Sequence, residues 1–248
     1  MTDIVLPNVR KLIVPDPGYT IYDCDLAGAD AQVVAWEAED DDLKAAFRAG
    51  LDIHDKNATD MLGSAYTSLA GDKDNGPKSR RRKEYKVGIH LTNYGGTARA
   101  IAMVLGWLSH DADRFQKRWF SIHPGIRDKF QGGVKMDLQR TRTVRNKFGF
   151  HRVYFDRIDD CFTEALAWKP QSTVALTTYY GAFQLEARFP WVEILIQDHD
   201  NLVWQSPTTR CPTDQEVAET LRVPIPYDDP LTIPWGVSKS TKSWGDCE

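Results

Sequence analysis

Cysteine is scarce. Only Cys24, Cys161, Cys211 and Cys247 occur among 248 residues, and no two form a Cys-x-x-Cys pair or sit with histidine at zinc-ligand spacing. That pattern argues against a disulfide framework or a structural zinc module, and it fits a reduced, cytoplasmic setting. Long hydrophobic runs are also missing: no stretch approaches the roughly 18 apolar residues of a membrane span. The opening Met1-Thr-Asp-Ile lacks the basic-then-apolar layout of a signal peptide. No Gly-rich phosphate loop of the P-loop or dinucleotide type is present, and there is no internal repeat or low-complexity tract. What remains is a soluble globular composition, 42% hydrophobic and 27% charged with a mean hydropathy of −0.46. The length suits one large domain or two small ones.

Net charge is −4, which by itself speaks against a nonspecific nucleic-acid coat. Its distribution says something else. Between Lys78 and Lys86 six basic residues face one acid, Glu84, and a second basic stretch holds Lys135, Arg140, Arg142, Arg145, Lys147 and Arg152. Acids gather elsewhere, at Glu37, Glu39, Asp40, Asp41 and Asp42. Charge segregated in this way suits an anionic ligand on one face.

Patterning predicts a strand or hairpin over 10–25, with Pro15-Asp-Pro-Gly18 as its turn, then short helices from Ala29, near Leu43–Arg48 and over Asp52–Leu62. The polar stretch 70–77 reads as the clearest loop and the best internal boundary. Helices are expected over 79–94, 98–107 and 112–130, the last broken near His123-Pro124-Gly125, and strands around Gly149 between 138 and 155. A long helix is expected over 159–185, kinked at Pro170. Trp191–Gln197 and Leu202–Gln205 flank Asp198-His199-Asp200-Asn201 and read as a hairpin. A short helix over 215–222 and a last strand over 231–235 complete the chain. Helices and antiparallel strands mix without a βαβ rhythm, so the expected class is α+β.

Three features carry chemistry. Asp25 ends an apolar strand and is followed at once by a helix, and His199-Asp200 sits at a hairpin tip. Arg82, Lys86, His90 and Tyr94 repeat every fourth residue along a predicted helix, a slowly winding stripe of about 18 Å. Two cations, an imidazole and a phenol in that order suit the phosphates, sugar and base of a nucleoside triphosphate. Two carboxylates on rigid strand ends suit the Mg²⁺ ions of phosphoryl transfer.

Taken together these features resemble the polymerase core of family A DNA polymerases, the bacterial polymerase I type and its phage relatives. The family's first motif is matched by Asp25-Leu-Ala-Gly-Ala-Asp30, its second by Arg82, Lys86, His90 and Tyr94-Gly95, and its third by His199-Asp200-Asn201. Asp52–Ala58, His123–Arg127 and Pro170–Thr173 occupy the places of further family segments, so the likeness runs from about Leu6 to Trp244. It implies an antiparallel palm sheet formed by 1–36 and 138–248, with helical fingers over 37–137 and no thumb. It also implies that Asp25 and Asp200, with the Leu26 carbonyl, hold two Mg²⁺ ions, with Mn²⁺ as an alternative. Lys86 would protonate the leaving pyrophosphate. Arg82, Lys86, His90, Tyr94 and Asp30 would bind the incoming nucleotide, and His199, Gln171 and Arg152 would contact DNA. The implied partners are primer–template DNA, dNTPs and a second polypeptide supplying thumb or processivity functions, in the host cytoplasm if the chain is phage-encoded, with no membrane involved.

Departures from the pattern matter as well. Asp30 stands where the family has Glu, His90 replaces Phe or Tyr, Leu91 a Gly, Gln32 an Arg and Asn201 a Glu. Two other readings compete with a DNA polymerase. One is a noncatalytic nucleic-acid-binding subunit of a replication complex. The other is a single-subunit RNA polymerase-like enzyme, disfavoured by an acid at position 30.

Overall fold

The computed structural model describes residues 8–247. Its strands are β1 (Tyr19–Leu26), β2 (Thr143–Arg145), β3 (His151–Val153), β4 (Glu193–Asp198), β5 (Asn201–Pro207) and β6 (Trp235–Ser240). Its helices are α1 (Ala29–Glu37), α2 (Asp41–Arg48), α3 (Ile53–Leu62), α4 (Ser64–Thr67), α5 (Gly76–Asn93), α6 (Ala98–Leu105), α7 (Ser109–Ile122), α8 (Gly132–Thr141), α9 (Ile158–Arg188) and α10 (Asp214–Thr220). The class is α+β, as the patterning implies. No helix among the described residues is long and apolar enough to cross a membrane.

Two compact units divide the chain. The first joins the residues up to Ala29 with those from Gln171 onward, and the second is Asp30–Pro170. The first unit carries a four-stranded sheet in the order β4-β5-β1-β6, antiparallel throughout. Its interior strand β1 is buried at Ile21, Tyr22 and Cys24, while Asp23 and Asp25 alternate onto its less buried face. Tyr22 lies opposite Trp204, with the rings stacked 4.0 Å apart, and the Trp204 indole donates to the Cys24 sulfur at 3.3 Å. Such cross-strand pairs fix register.

The second unit is helical apart from the small β2–β3 hairpin. Gly88 on α5 sits where a Cβ would lie 2.9 Å from the Phe115 ring of α7, so only glycine allows that approach. One turn further on, the Trp119 indole donates to Asn93 Oδ1 at 2.9 Å. Pro170 stands inside α9 and cannot donate to the Leu166 carbonyl, and the division between units falls at this residue.

Several expectations change. Residues 9–12 form a 3₁₀ turn rather than a strand, because the Asn8 side chain accepts the Arg10 N–H at 3.1 Å and caps it. The stretch 70–77 is no unit boundary: it lies inside the second unit, and α5 already begins at Gly76 with Pro77 in its first turn. After α7 a π-helical turn, Ile126–Gln131, leads into α8, which runs on to Thr141 and shortens the expected strands. Leu231 makes only an isolated bridge to Ile225, and the strand starts at Trp235, since Pro230 and Pro234 offer no N–H for a ladder.

Candidate active site

In the first unit the acids converge at one end of the sheet. The two-residue period of β1 puts Asp23 and Asp25 on one face, and Asn201 of β5 lies directly opposite Asp25. The β4–β5 hairpin turns through His199, whose φ of +50° is in the left-handed region. Thr178 on α9 holds this turn, its hydroxyl donating to the His199 carbonyl at 2.9 Å. The next carbonyl, that of Asp200, accepts the Leu26 N–H at 2.9 Å and ties the hairpin tip to the end of β1.

Asp25 remains open to solvent, yet partial burial, then the charges of Asp200 and Asp23, push its carboxyl up to about 6. The Asn201 amide works the other way, bonding Asp25 and donating to Asp23 Oδ1 at 2.5 Å. Arg10 offers Asp23 only a distant counter-charge, 4.0 Å away. Asp25 and Asp200 are hard oxygen donors at one strand end, of the kind a divalent cation takes, although the oxygens of Asp23, Asp25 and Asp200 do not all lie within 4.8 Å of one another.

In the second unit α5 presents the four-residue stripe. Asp52 caps α3, its Oδ1 accepting the N–H groups of His54 and Asp55 at 3.0 Å each. The same carboxylate accepts from Arg82 Nη2 at 2.8 and 2.7 Å, so Arg82 is pinned to the start of α3 while its Nε is buried without a partner. Beside this pair Asp30, His54, Lys86, His90 and Tyr94 line one pocket. Burial, then Lys86 and Arg82, press His54 down to about 4, so its imidazole is neutral at physiological pH. Burial also lowers His90, whose ring stands edge-on to Tyr94 with centroids 4.5 Å apart. Burial and then the nearby Asp30 carboxylate raise the Tyr94 phenol, whose buried oxygen makes no hydrogen bond of ordinary geometry. Asn57 Oδ1, from another residue lining the pocket, is buried and unpartnered too. Orphaned polar atoms beside cations suit a polar, anionic ligand.

The residues singled out from sequence therefore fall into separate groups. Asp25, Leu26, His199 and Asp200 meet at the sheet end. Asp30, Lys86, His90 and Tyr94 share the helical pocket, with Arg82 held alongside by Asp52. Gln171 is exposed on α9. Arg152 stands apart on β3, paired with Glu164 at 2.5 Å and lying over the Tyr154 ring.

His54, Asp52 and Asn57 join the site from a segment whose helix was legible but whose roles were not. The available signal was an N-cap aspartate followed two residues later by histidine. A further cluster, Asp40, Asp42 and His123, has ligand-type atoms within 4.8 Å of one another. Within it His123 Nδ1 bonds Asp40 at 2.8 Å and Lys56 holds Asp42 at 2.6 Å, while His123 Nε2 is buried without a partner, and it includes none of the expected ligands.

The fold is a mixed one, with an antiparallel sheet carrying aspartates at one end in the first unit and a cationic stripe on a helix in the second. The chain belongs to DNA polymerase family A, whose family model matches residues 5–246. DNA polymerase I of Geobacillus stearothermophilus is 28% identical over 89% of this chain and 26% of its own length. Thermostable DNA polymerase I of Thermus filiformis is 27% identical over 94% of this chain and 28% of its own length. The chain thus spans about a quarter of the length of these relatives. Among solved structures, the POL domain of Pol1 from M. smegmatis, in complex with DNA primer–template and dNTP, superposes with a TM-score of 0.77 at 18% identity. That match covers 99% of this chain and 44% of the other.

Proposed function

We propose that the chain is the palm-and-fingers core of a template-directed DNA polymerase, adding deoxynucleotides to a primer 3′-hydroxyl. The palm is read as 1–36 with 138–248 and the fingers as 37–137, so that the sheet-bearing unit falls within the palm. The observation that carries this reading is the retention, in a family A chain, of Asp25 and Asp200 at one end of the sheet.

Asp25 and Asp200, with the Leu26 carbonyl, would hold Mg²⁺, two ions in the full reaction, with Mn²⁺ as a substitute. Bound there, the ions supply Lewis-acid stabilisation of the attacking and leaving oxygens. The remaining work falls to the chain's own side chains. Arg82 offers its unpartnered Nε to phosphate oxygens, and Lys86 hands a proton to the leaving pyrophosphate. His54, neutral in the free protein, adds a hydrogen bond within the same pocket. His90 and Tyr94 flank the sugar and base, and Asp30 beside Tyr94 closes the space at the sugar 2′-position. His199, Gln171 and Arg152 contact DNA. Long grip on the duplex needs phosphate contacts outside these two units, which a second polypeptide or another stretch of the same one would provide.

Primer extension tests the reading directly, using a short labelled primer–template at low salt with Mg²⁺ and dNTPs. Wild type should extend the primer according to template, and Asp200→Asn should not. Equal extension by both would dismiss the carboxylate assignment. Ribonucleotide use at the deoxynucleotide rate would point to the RNA polymerase-like reading instead. If neither protein extends but both contribute equally to a replication complex, the role is noncatalytic.

A further inference from the structure

The second basic stretch folds into the β2–β3 hairpin, and its surroundings single it out. From Arg140 to Arg157 six Lys or Arg face one acid, Asp156, in a chain that is negative overall. A two-stranded sheet with three residues a side is too small to be stable on its own in water. Asn146 organises it. Its buried Oδ1 accepts the N–H groups of Phe148 and Phe150 at 3.1 Å each, and its own N–H donates to the Phe150 carbonyl at 2.9 Å. Val144 and Tyr154 anchor the hairpin by burial.

Everything else on β3 faces water. His151, Arg152 and Val153 are all exposed, so both faces of the strand are open. Phe150 at one end is 56% exposed, and Phe155 just past the other end is 91% exposed. Arg145 spends one donor on the Gly149 carbonyl at 2.7 Å, out of the five a guanidinium carries.

Exposed rings interleaved with cations match one ligand chemistry well. Unpaired bases stack on aromatic faces irrespective of sequence, and their phosphates pair with arginine, whereas a duplex keeps its base faces hidden. The charge is complementary to a polyanion. We propose that this hairpin is a platform for a single nucleic-acid strand, with bases stacked on Phe150 and Phe155 and phosphates on Arg145 and, in exchange for its Glu164 ion pair, on Arg152. The inference goes beyond the polymerase reading, because it requires no primer, nucleotide or divalent cation.

The test is fluorescence anisotropy on the full chain in EDTA at low salt. A labelled oligo-dT of about 16 nucleotides is compared with a blunt duplex of equal length. Wild type should prefer the single strand, and Phe150→Ala/Phe155→Ala should weaken that binding about tenfold or more. Phe155→Trp should restore it within the Phe150 wild-type background, with its emission quenched by the oligonucleotide. Arg145→Ala should reduce the slope of log affinity against log salt by about one. Equal binding of both DNAs by wild type, unchanged in the double variant, would overturn the proposal. So would Phe155-dependent binding to anionic lipid vesicles without binding to oligo-dT. Because nothing is extended in this assay, its outcome is independent of whether the chain polymerises.

Discussion

His54 offers the sharpest test of the helical pocket. In the free protein its pKa should lie near 4, because burial, Lys86 and Arg82 all oppose protonation. Above pH 6.5 the imidazole is neutral in both folded and unfolded chains and contributes nothing to pH-dependent stability. As pH falls below 6.5 the unfolded chain takes up a proton that the folded chain resists, so stability falls until about pH 4 and then levels. The span from 6.5 to about 4 sets a ceiling of about 3.4 kcal/mol, and partial solvent access reduces this to about 2 kcal/mol. His54→Gln should remove that loss, so denaturant curves of the two proteins should diverge by this amount between pH 7 and 4. An anion in the pocket reverses the sign, since one negative charge about 4 Å away at an effective dielectric of 20 is worth about 4 kcal/mol. Metal-free tripolyphosphate should therefore raise the His54 pKa by at least one pH unit, read from its imidazole proton shifts. A His54 that titrates near 6.5 without ligand, or ignores tripolyphosphate, would refute the electrostatic reading of the pocket.

Three further outcomes are expected. Asp52→Asn keeps a good N-cap for α3 but loses the charged partner of Arg82, so KM for dNTP should rise about tenfold with kcat less affected. In contrast, Asp52→Ala should also cost about 1 kcal/mol of stability, seen by thermal denaturation. Asp30→Ala opens space beside Tyr94 and should raise ribonucleotide incorporation relative to deoxynucleotide, measured by competitive single-nucleotide extension. Asn201→Asp adds a fourth carboxylate to Asp23, Asp25 and Asp200, so Tm should drop in EDTA and recover with millimolar Mg²⁺.

The sequence made the sheet end legible because both of its acids sit at strand boundaries marked by local pattern. Asp25 follows an apolar run, and Asp200 lies in a polar tetrapeptide between two β-branched stretches. The ladder was legible for a similar reason: a spacing of four needs only helical geometry to become a stripe. What periodicity could not reveal was the partner of that stripe. Whether the first turn of α3 meets α5 depends on two helices packing around Gly88, Phe115 and Trp119, and that is a tertiary fact. The Asp52–Arg82 pair and the neutral His54 follow from it. The late strand went astray for a local reason, as Pro230 and Pro234 carry the right apolar neighbours but cannot donate to a ladder.

The departures from the family pattern can be weighed on the same physical terms. A glutamate at position 201 would stand across the strand pair from Asp25 and add charge to an acid already pushed up to about 6. The asparagine in its place instead donates to Asp23 and bonds Asp25, holding two carboxylates with one neutral amide. At position 30 the shorter acid still lies beside the Tyr94 phenol closely enough to raise its pKa, though no hydrogen bond of ordinary geometry joins them. One substitution therefore removes charge from the sheet end and supplies a clamp. The other keeps the charge in the helical pocket on a side chain one methylene shorter. On the proposed polymerase reading, that shorter reach beside Tyr94 should relax sugar selection.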